Sequence, residues 1–210
     1  LDGDGQYGLA RLSIDRKRAF AEMESIQQVQ EPILPVTLES AVLKSEAMDW
    51  LIEKCVELGV QKFQPIITAH TVVRIQDRKG PEVFRERWQR IADQALKQCG
   101  RRTRMTIEPP LSFEDALARP LEAEEQRLWL DEAGRASDMP HLILGARPAG
   151  FYRILLGPEG GFSADERAIL ARNPGTLPVQ LGPWVLRAET AGIAAVSQLA
   201  AHIALHSRPR

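Results

Sequence analysis

The sequence predicts an α/β fold: a mostly parallel sheet covered by helices on both faces. From Ile33 onward, short apolar runs alternate with longer segments of helical periodicity, the pattern of strand–helix units whose strands lie parallel. The helical segments are bounded by capping residues. Two strand candidates also run straight into glycine-containing turns that open helices, and open α/β sheets bind ligands at such carboxyl ends.

The first fourteen residues read LDGDGQYGLARLSI. Asp-Gly pairs mark turns, and residues 7–14 have strand character. An opening on a turn leads to the expectation that the front of a small β domain is absent. Residues 22–32, rich in Glu and Gln, are expected to continue that piece into a linker.

Residues 33–38 are then expected to form a strand and 45–58 a helix, with Met48, Leu51, Ile52, Cys55 and Leu58 on one face. Gly59 stands where a left-handed cap is expected, and 60–67 follows as a buried strand. A second helix spans 81–99. Pro81 suits its first turn, Phe84, Trp88, Ile91, Ala95 and Cys99 form its apolar stripe, and Gly100 ends it. Ser112 and Asp115 have capping-box-like spacing before a short helix. Residues 127–131 and 153–156 are strand candidates, and 132–150, rich in Gly, Ala and Pro, is expected to be a loop. Ser163 and Glu166 fit a capping box, 177–181 is the last strand, and a helix runs over 189–206. Ala191, Gly192, Ala194, Ala195, Ala200 and Ala201 give that helix a small face, which implies close packing against a neighbouring helix or a second subunit. Trp50, Trp88 and Trp129 fall in helix or strand patterns and are read as core, whereas Trp184 lies in a loop.

The chain has 210 residues, enough for one sizeable domain and part of another. Hydrophobic residues make up 44% and charged residues 26%, an ordinary globular balance. The formal net charge of −1 excludes whole-molecule attraction to nucleic acid, so any RNA affinity must come from a local cluster of Arg and Lys. Cys55 and Cys99 are too few for a disulfide scaffold, and no Cys/His cluster offers a zinc site. No apolar stretch approaches the roughly 18 residues of a membrane span, and the N-terminus lacks the layout of a secretion signal. A cytoplasmic protein with no metal and no membrane partner is expected.

The first informative segment is Ile154-Leu155-Leu156-Gly157-Pro158-Glu159-Gly160-Gly161-Phe162-Ser163. Glycines at a strand end let a ligand approach the backbone, although a tight strand-to-helix turn explains the pattern equally well. The segment is neither GxxxxGK[ST] nor GxGxxG. Glu159 would repel a polyphosphate and suits a ligand with hydroxyls or positive charge. The second segment is Val179-Gln180-Leu181-Gly182-Pro183-Trp184-Val185-Leu186-Arg187-Ala188-Glu189-Thr190-Ala191. Arg187, Glu189 and Thr190 cluster where a helix starts and its N–H groups are free. Capping by Glu189, with Arg187 paired to it, is the structural alternative.

Together these segments resemble the paired C-terminal motifs of the small-subunit ribosomal RNA (uracil-N3)-methyltransferase family of the SPOUT superfamily. Glu57-Leu58-Gly59-Val60 is similar to that family's Glu-Leu-Gly-Val helix end, and Ala95-Leu96-Lys97-Gln98-Cys99-Gly100-Arg101 to its Ala-x-x-Gln-x-Gly-Arg motif. The four motifs occur in the family's order and cover residues 33–206. Residues 1–32 resemble the tail and linker of its N-terminal PUA-like β-barrel, which leaves 33–210 as the methyltransferase domain. The sequence departs from the family at Ala69-His70-Thr71, where Glu-Arg-Ser is usual. No catalytic role is assigned there; His70 is either a substitute RNA contact or an ordinary loop histidine.

The resemblance implies a SPOUT-type parallel sheet with a C-terminal trefoil knot and a homodimer with its site at the interface. It implies S-adenosylmethionine as cofactor, a ligand with a ribose, an ammonium and a sulfonium, held by Leu156, Gly157, Glu159, Gly160, Gly161, Leu181, Gly182, Val185, Leu186 and Ala188. The substrate implied is N3 of a uridine in 16S ribosomal RNA, free or in the small ribosomal subunit. That base must be flipped out and its N3–H lost or polarised. Arg187 is then a candidate to stabilise charge on the uracil oxygens. Glu189 is a candidate to accept the proton or hold Arg187, and Thr190 to hydrogen-bond the base or the cofactor. Lys97, Gln98, Arg101, Arg102 and Arg104 form a compact patch suited to RNA phosphates, or else a solvated helix end. Two other readings stay open: a SPOUT enzyme acting on another RNA position, and a non-catalytic RNA-binding assembly factor.

Overall fold

The computed structural model describes residues 3–29, 31, 33–75, 80–131, 137–138 and 149–206. Gln6–Asp15 (β1) and Arg18–Gln28 (β2) pair as an antiparallel hairpin with an irregularity between Leu9 and Ala10. Residues 22–28 are therefore strand, not linker. Alternation explains this: Ala19, Ala21 and Met23 pair with Ile14, Leu12 and Ala10, so apolar side chains share one face. That face is open, with Leu12, Ile14, Met23 and Ile26 all exposed.

The rest of the chain alternates as the pattern predicts. Leu34–Ala41 (β3), Ser45–Glu57 (α1), Val60–Ile67 (β4) and Pro81–Cys99 (α2) come first. Thr106–Ile107 (β5), Leu111–Ser112 (β6), Phe113–Ala118 (α3) and Glu125–Leu130 (β7) follow. Ser137–Asp138 (β8), Phe151–Leu156 (β9), Ala164–Arg172 (α4), Thr176–Gln180 (β10) and Ala188–His206 (α5) complete the chain. The sheet order is β5-β4-β3-β9-β7-β10-β8, with β6 also beside β4, and every pairing in it is parallel. The segment expected to be a loop thus contributes β8, whose Ser137 pairs with Val179. Residues 132–136 and 139–148 lie outside the described residues.

Local chemistry sets the helix boundaries. Gly59 (φ 86) and Gly100 (φ 77) supply the left-handed turns after α1 and α2. Ser112 caps α3 by accepting the Asp115 N–H, and Ser163 with Glu166 forms a complete capping box on α4. The α2 stripe is set by Trp88, Ala92, Ala95 and Leu96, which are buried, while Cys99 in the last turn is exposed.

Two cores result. Leu38, Ile154 and Leu156 meet α1, α2 and α5 on one face, and Ile66, Trp129 and Leu155 meet α3 and α4 on the other. The small face of α5 packs within the chain. A Cβ on Gly192 would stand 2.8 Å from Leu51 Cδ1 and 3.0 Å from Leu156 Cδ2, so the helix lies directly on the sheet. On the opposite face Glu39 and Arg127, both fully buried, face each other at 3.3 Å, and Arg153 bridges Glu125. Burial pushes the Glu39 carboxyl up, against the pull of Arg127 and Arg153.

Candidate functional site

The carboxyl ends of β7, β9 and β10 open into one cavity of about 990 Å³, the position at which parallel α/β sheets bind ligands. The first glycine segment enters it directly from β9. Its turn is closed by the Gly161 N–H donating to the Pro158 carbonyl at 2.9 Å, with Gly161 at φ 66, where glycine carries no steric cost. The second segment enters from β10 and climbs through Gly182 to α5. The Arg187 carbonyl accepts the Ala191 N–H at 2.8 Å, so Arg187 is the N-cap. The N–H groups of Ala188, Glu189 and Thr190 then lie in the first turn, without intrahelical acceptors.

The cavity brings together all but one of the candidate catalytic and cofactor-binding residues. Leu156, Gly157, Glu159, Gly161, Leu181, Gly182, Val185, Leu186, Arg187, Ala188, Glu189 and Thr190 line it. Gly160 does not: it sits at the back of the turn against His70. No ion pair joins Arg187 to Glu189 among the described residues, and the Arg187 side chain is exposed at the cavity wall.

Several residues there carried no motif. Asp131 directly follows β7 and holds Arg167 at 2.7 Å, and the Arg167 guanidinium lies over the Trp129 ring at 5.4 Å. Lys44 donates its main-chain N–H to Glu159 Oε1 at 3.3 Å. Trp50, expected in the core, lines the cavity and is 53% exposed. Helical spacing explains the difference, because the buried stripe of α1 runs through Met48, Leu51, Ile52 and Cys55 and leaves position 50 beside it. Trp184 is exposed at the same cavity. The available signal was position: Asp131 stands at a strand's carboxyl end, and Lys44 and Trp50 near the start of the helix after β3.

The basic cluster after α2 is partly engaged within the chain. Arg101 donates to the Val56 carbonyl at 3.1 Å. The Arg102 guanidinium stacks on Tyr7 at 4.0 Å. Arg104 and Asp93 form a two-pronged pair, and that guanidinium holds the Asp93 carboxyl below its usual range. Glu31 accepts the main-chain N–H groups of Arg102 and Thr103 at 2.8 Å, which ties the segment after the hairpin to the sheet. Lys97 and Gln98 are exposed.

The donor set suits a compact, cationic, hydroxyl-bearing ligand. Glu159 and Glu189 offer carboxylate acceptors, the start of α5 offers N–H donors, and Leu156, Leu181 and Leu186 offer apolar walls.

A parallel α/β sheet with two glycine turns meeting over one cavity is the frame of an RNA methyltransferase domain, and the profile of that domain matches residues 29–200. The chain is 32% identical over 209 residues to ribosomal RNA small subunit methyltransferase E of Synechocystis, covering 95% of this chain and 64% of that protein. It is 31% identical to the Aquifex aeolicus protein of the same name, covering 93% of this chain and 82% of that one. A crystal structure of a ribosomal RNA small subunit methyltransferase E from Neisseria gonorrhoeae bound to S-adenosyl methionine superposes with a TM-score of 0.84 at 31% identity, covering 97% of this chain and 81% of that chain. The chain belongs to this family of small-subunit ribosomal RNA methyltransferases. It spans just under two thirds of the length of the Synechocystis relative.

Proposed function

We propose that the protein transfers a methyl group from S-adenosylmethionine to N3 of a uridine in 16S ribosomal RNA. The observation that carries this reading is the single cavity lined by both glycine segments, with Arg187 on its wall. Leu156, Gly157, Glu159, Gly161, Leu181, Gly182, Val185, Leu186 and Ala188 would hold the cofactor, with Gly160 shaping the turn from behind. Bound there, S-adenosylmethionine supplies an electrophilic sulfonium methyl group.

The chain's own residues do the remaining work. Arg187 carries a fixed positive charge at the start of α5 and lacks an ion-pair partner among the described residues, so it is available to a uracil oxygen that gains charge as N3 loses its proton. Glu189, two residues on and in the same cavity, is the proton acceptor or the group that orients Arg187. Thr190 offers a hydroxyl to the base or to the cofactor. A base and cofactor seated in the cavity would displace water from these contacts and strengthen them.

The same reading extends to the assembly. Residues 33–210 are the SPOUT methyltransferase domain with a trefoil-knotted C-terminal part, and residues 1–32 are PUA-like RNA-binding β structure with its linker. The open apolar face of the hairpin supports the latter, since a barrel strand normally buries that face. The working form is a cytoplasmic homodimer, and exposed Trp184 and Val185 support a second subunit near the cavity. Lys97, Gln98, Arg101, Arg102 and Arg104 are the RNA-facing patch, with Arg101 and Arg104 also braced within the chain.

The test is methylation of deproteinised 16S RNA and of assembled small subunits with labelled S-adenosylmethionine, followed by mass mapping of nucleosides. N3-methyluridine at one position is the expected product. Methylation of a ribose oxygen or of guanine would overturn the assignment.

A further inference from the structure

We infer that His70 is a positioning residue for the glycine turn, holding it from behind through an Nδ1–H that donates to the Gly160 and Gly161 carbonyls. The inference rests on the reading that this turn binds S-adenosylmethionine. His70 stands in the turn after β4, and its Nδ1 lies 3.1 Å from Gly160 O and 3.0 Å from Gly161 O. Carbonyl oxygens only accept hydrogen bonds. A bare Nδ1 would set its lone pair against both, so the proton belongs on Nδ1.

The contact is made on the side of the turn away from the cavity. Gly157, Glu159 and Gly161 line the cavity while Gly160 does not, and a Cβ on Gly160 would stand 3.4 Å from His70 Cβ. A Cβ at Gly160 would thus meet His70 in ordinary van der Waals contact, on the side away from a ligand.

His70 stands on a firm support. Its own turn is closed by the Thr71 N–H donating to Thr68 O at 3.1 Å and by the Thr68 N–H donating to Thr71 Oγ1 at 2.9 Å. The neighbouring Ala69 N–H donates to Glu166 Oε1 at 2.8 Å, and the other oxygen of that carboxylate accepts the Ser163 N–H at 2.8 Å. Glu166, buried at the start of α4, therefore fastens the 68–71 turn to the segment that ends the glycine turn. With Lys44 holding Glu159 on the cavity side, the turn is braced front and back. The Gly160 and Gly161 carbonyls are thereby held before any ligand arrives, which lowers the ordering cost of binding.

The test compares wild type with His70→Leu, which keeps bulk but has no donor, and His70→Asn, whose Nδ2 lies as many bonds from Cβ as the histidine Nδ1. Calorimetric titration with S-adenosylmethionine should weaken about five-fold in His70→Leu and stay within about two-fold of wild type in His70→Asn, the scale of one hydrogen bond. Turnover at saturating cofactor should be unchanged in both. Long-range ¹⁵N spectra of wild type at about pH 8, above the ordinary histidine range, should show the Nδ1–H tautomer for His70. Wild-type affinity in His70→Leu, or an Nε2–H tautomer with bare Nδ1, overturns the inference. A wild-type protein that binds no S-adenosylmethionine overturns the cofactor reading itself, and is told apart because there the variants have no affinity to lose.

Discussion

Arg167 Nη2 lies 2.7 Å from Asp131 Oδ1, at the point where β7 ends in the cavity. The carboxylate is almost wholly buried, whereas the arginine keeps part of its surface and stacks on Trp129. Arg167→Ala removes one charge-assisted contact from a buried carboxylate and should destabilise the protein by about 1–3 kcal/mol. Denaturant unfolding of wild type and variant measures this, and equal midpoints would show that water replaces the guanidinium without loss.

Arg187 gives a sharper functional prediction. As an exposed N-cap residue it supports little packing, so Arg187→Ala should fold normally. Methylation should fall about a hundred-fold or more, the range for removal of one group that stabilises transition-state charge. Affinity for S-adenosylmethionine should hardly change. Full turnover in the variant would remove Arg187 from the chemistry.

Gly192 ties α5 to the sheet. Valine there would drive its Cβ into Leu51 and Leu156, and overpacking of this kind costs about 1–3 kcal/mol. Because α5 begins at the cavity wall, the displaced helix should also lower cofactor affinity. Thermal unfolding together with calorimetry on Gly192→Val tests both effects; unaltered values would mean that the leucine side chains simply turn away.

Glu31 makes the joint between hairpin and sheet sensitive to acid. Burial alone would raise its carboxyl, but the N–H groups of Arg102 and Thr103 outweigh it and hold the group below its usual range. A lowered folded value means that the joint's stability is fully present above the unfolded value of about 4.3 and is lost as pH falls through the folded one. Protection of the Arg102 and Thr103 amides, relative to their intrinsic exchange rates, should fall below about pH 4 in wild type, and Glu31→Gln should show that loss already at neutral pH.

The two cysteines should differ in reactivity. Burial pushes the Cys55 thiol far above its ordinary range, whereas Cys99 is exposed in the last turn of α2. One thiol per chain should label quickly in native protein and the second only on unfolding. Rapid labelling of both would indicate that α1 opens readily.

Most of the fold was legible because its signals are local. The capping box at Ser163 and Glu166, the glycines after α1 and α2, and the apolar run of β9 each fix an element without reference to distant residues. The two glycine segments were legible as site material for the same reason. What stayed hidden depends on three-dimensional placement. Nothing in the sequence around Trp50 says that one helical step separates the buried stripe from a cavity wall. Asp131 and Arg167 meet only because β7 lies beside β10 in the sheet and α4 packs over it. The hairpin strand β2 was obscured by its Glu and Gln, which pair across the ladder rather than mark a linker, and the arginines after α2 read as a free patch although Tyr7, Asp93 and Val56 engage them.

The order of the sheet also constrains how the chain can reach it. β3 must take β9 as a neighbour, with Val36 against Tyr152, so most of the sequence has to be made before the central ladder can close. Pairings of such long reach carry a large loop-closure cost and favour slow assembly. Until β9 arrives, β3 presents an unsatisfied edge rich in Val and Leu, and during synthesis that interval is when the chain most needs shielding from its neighbours.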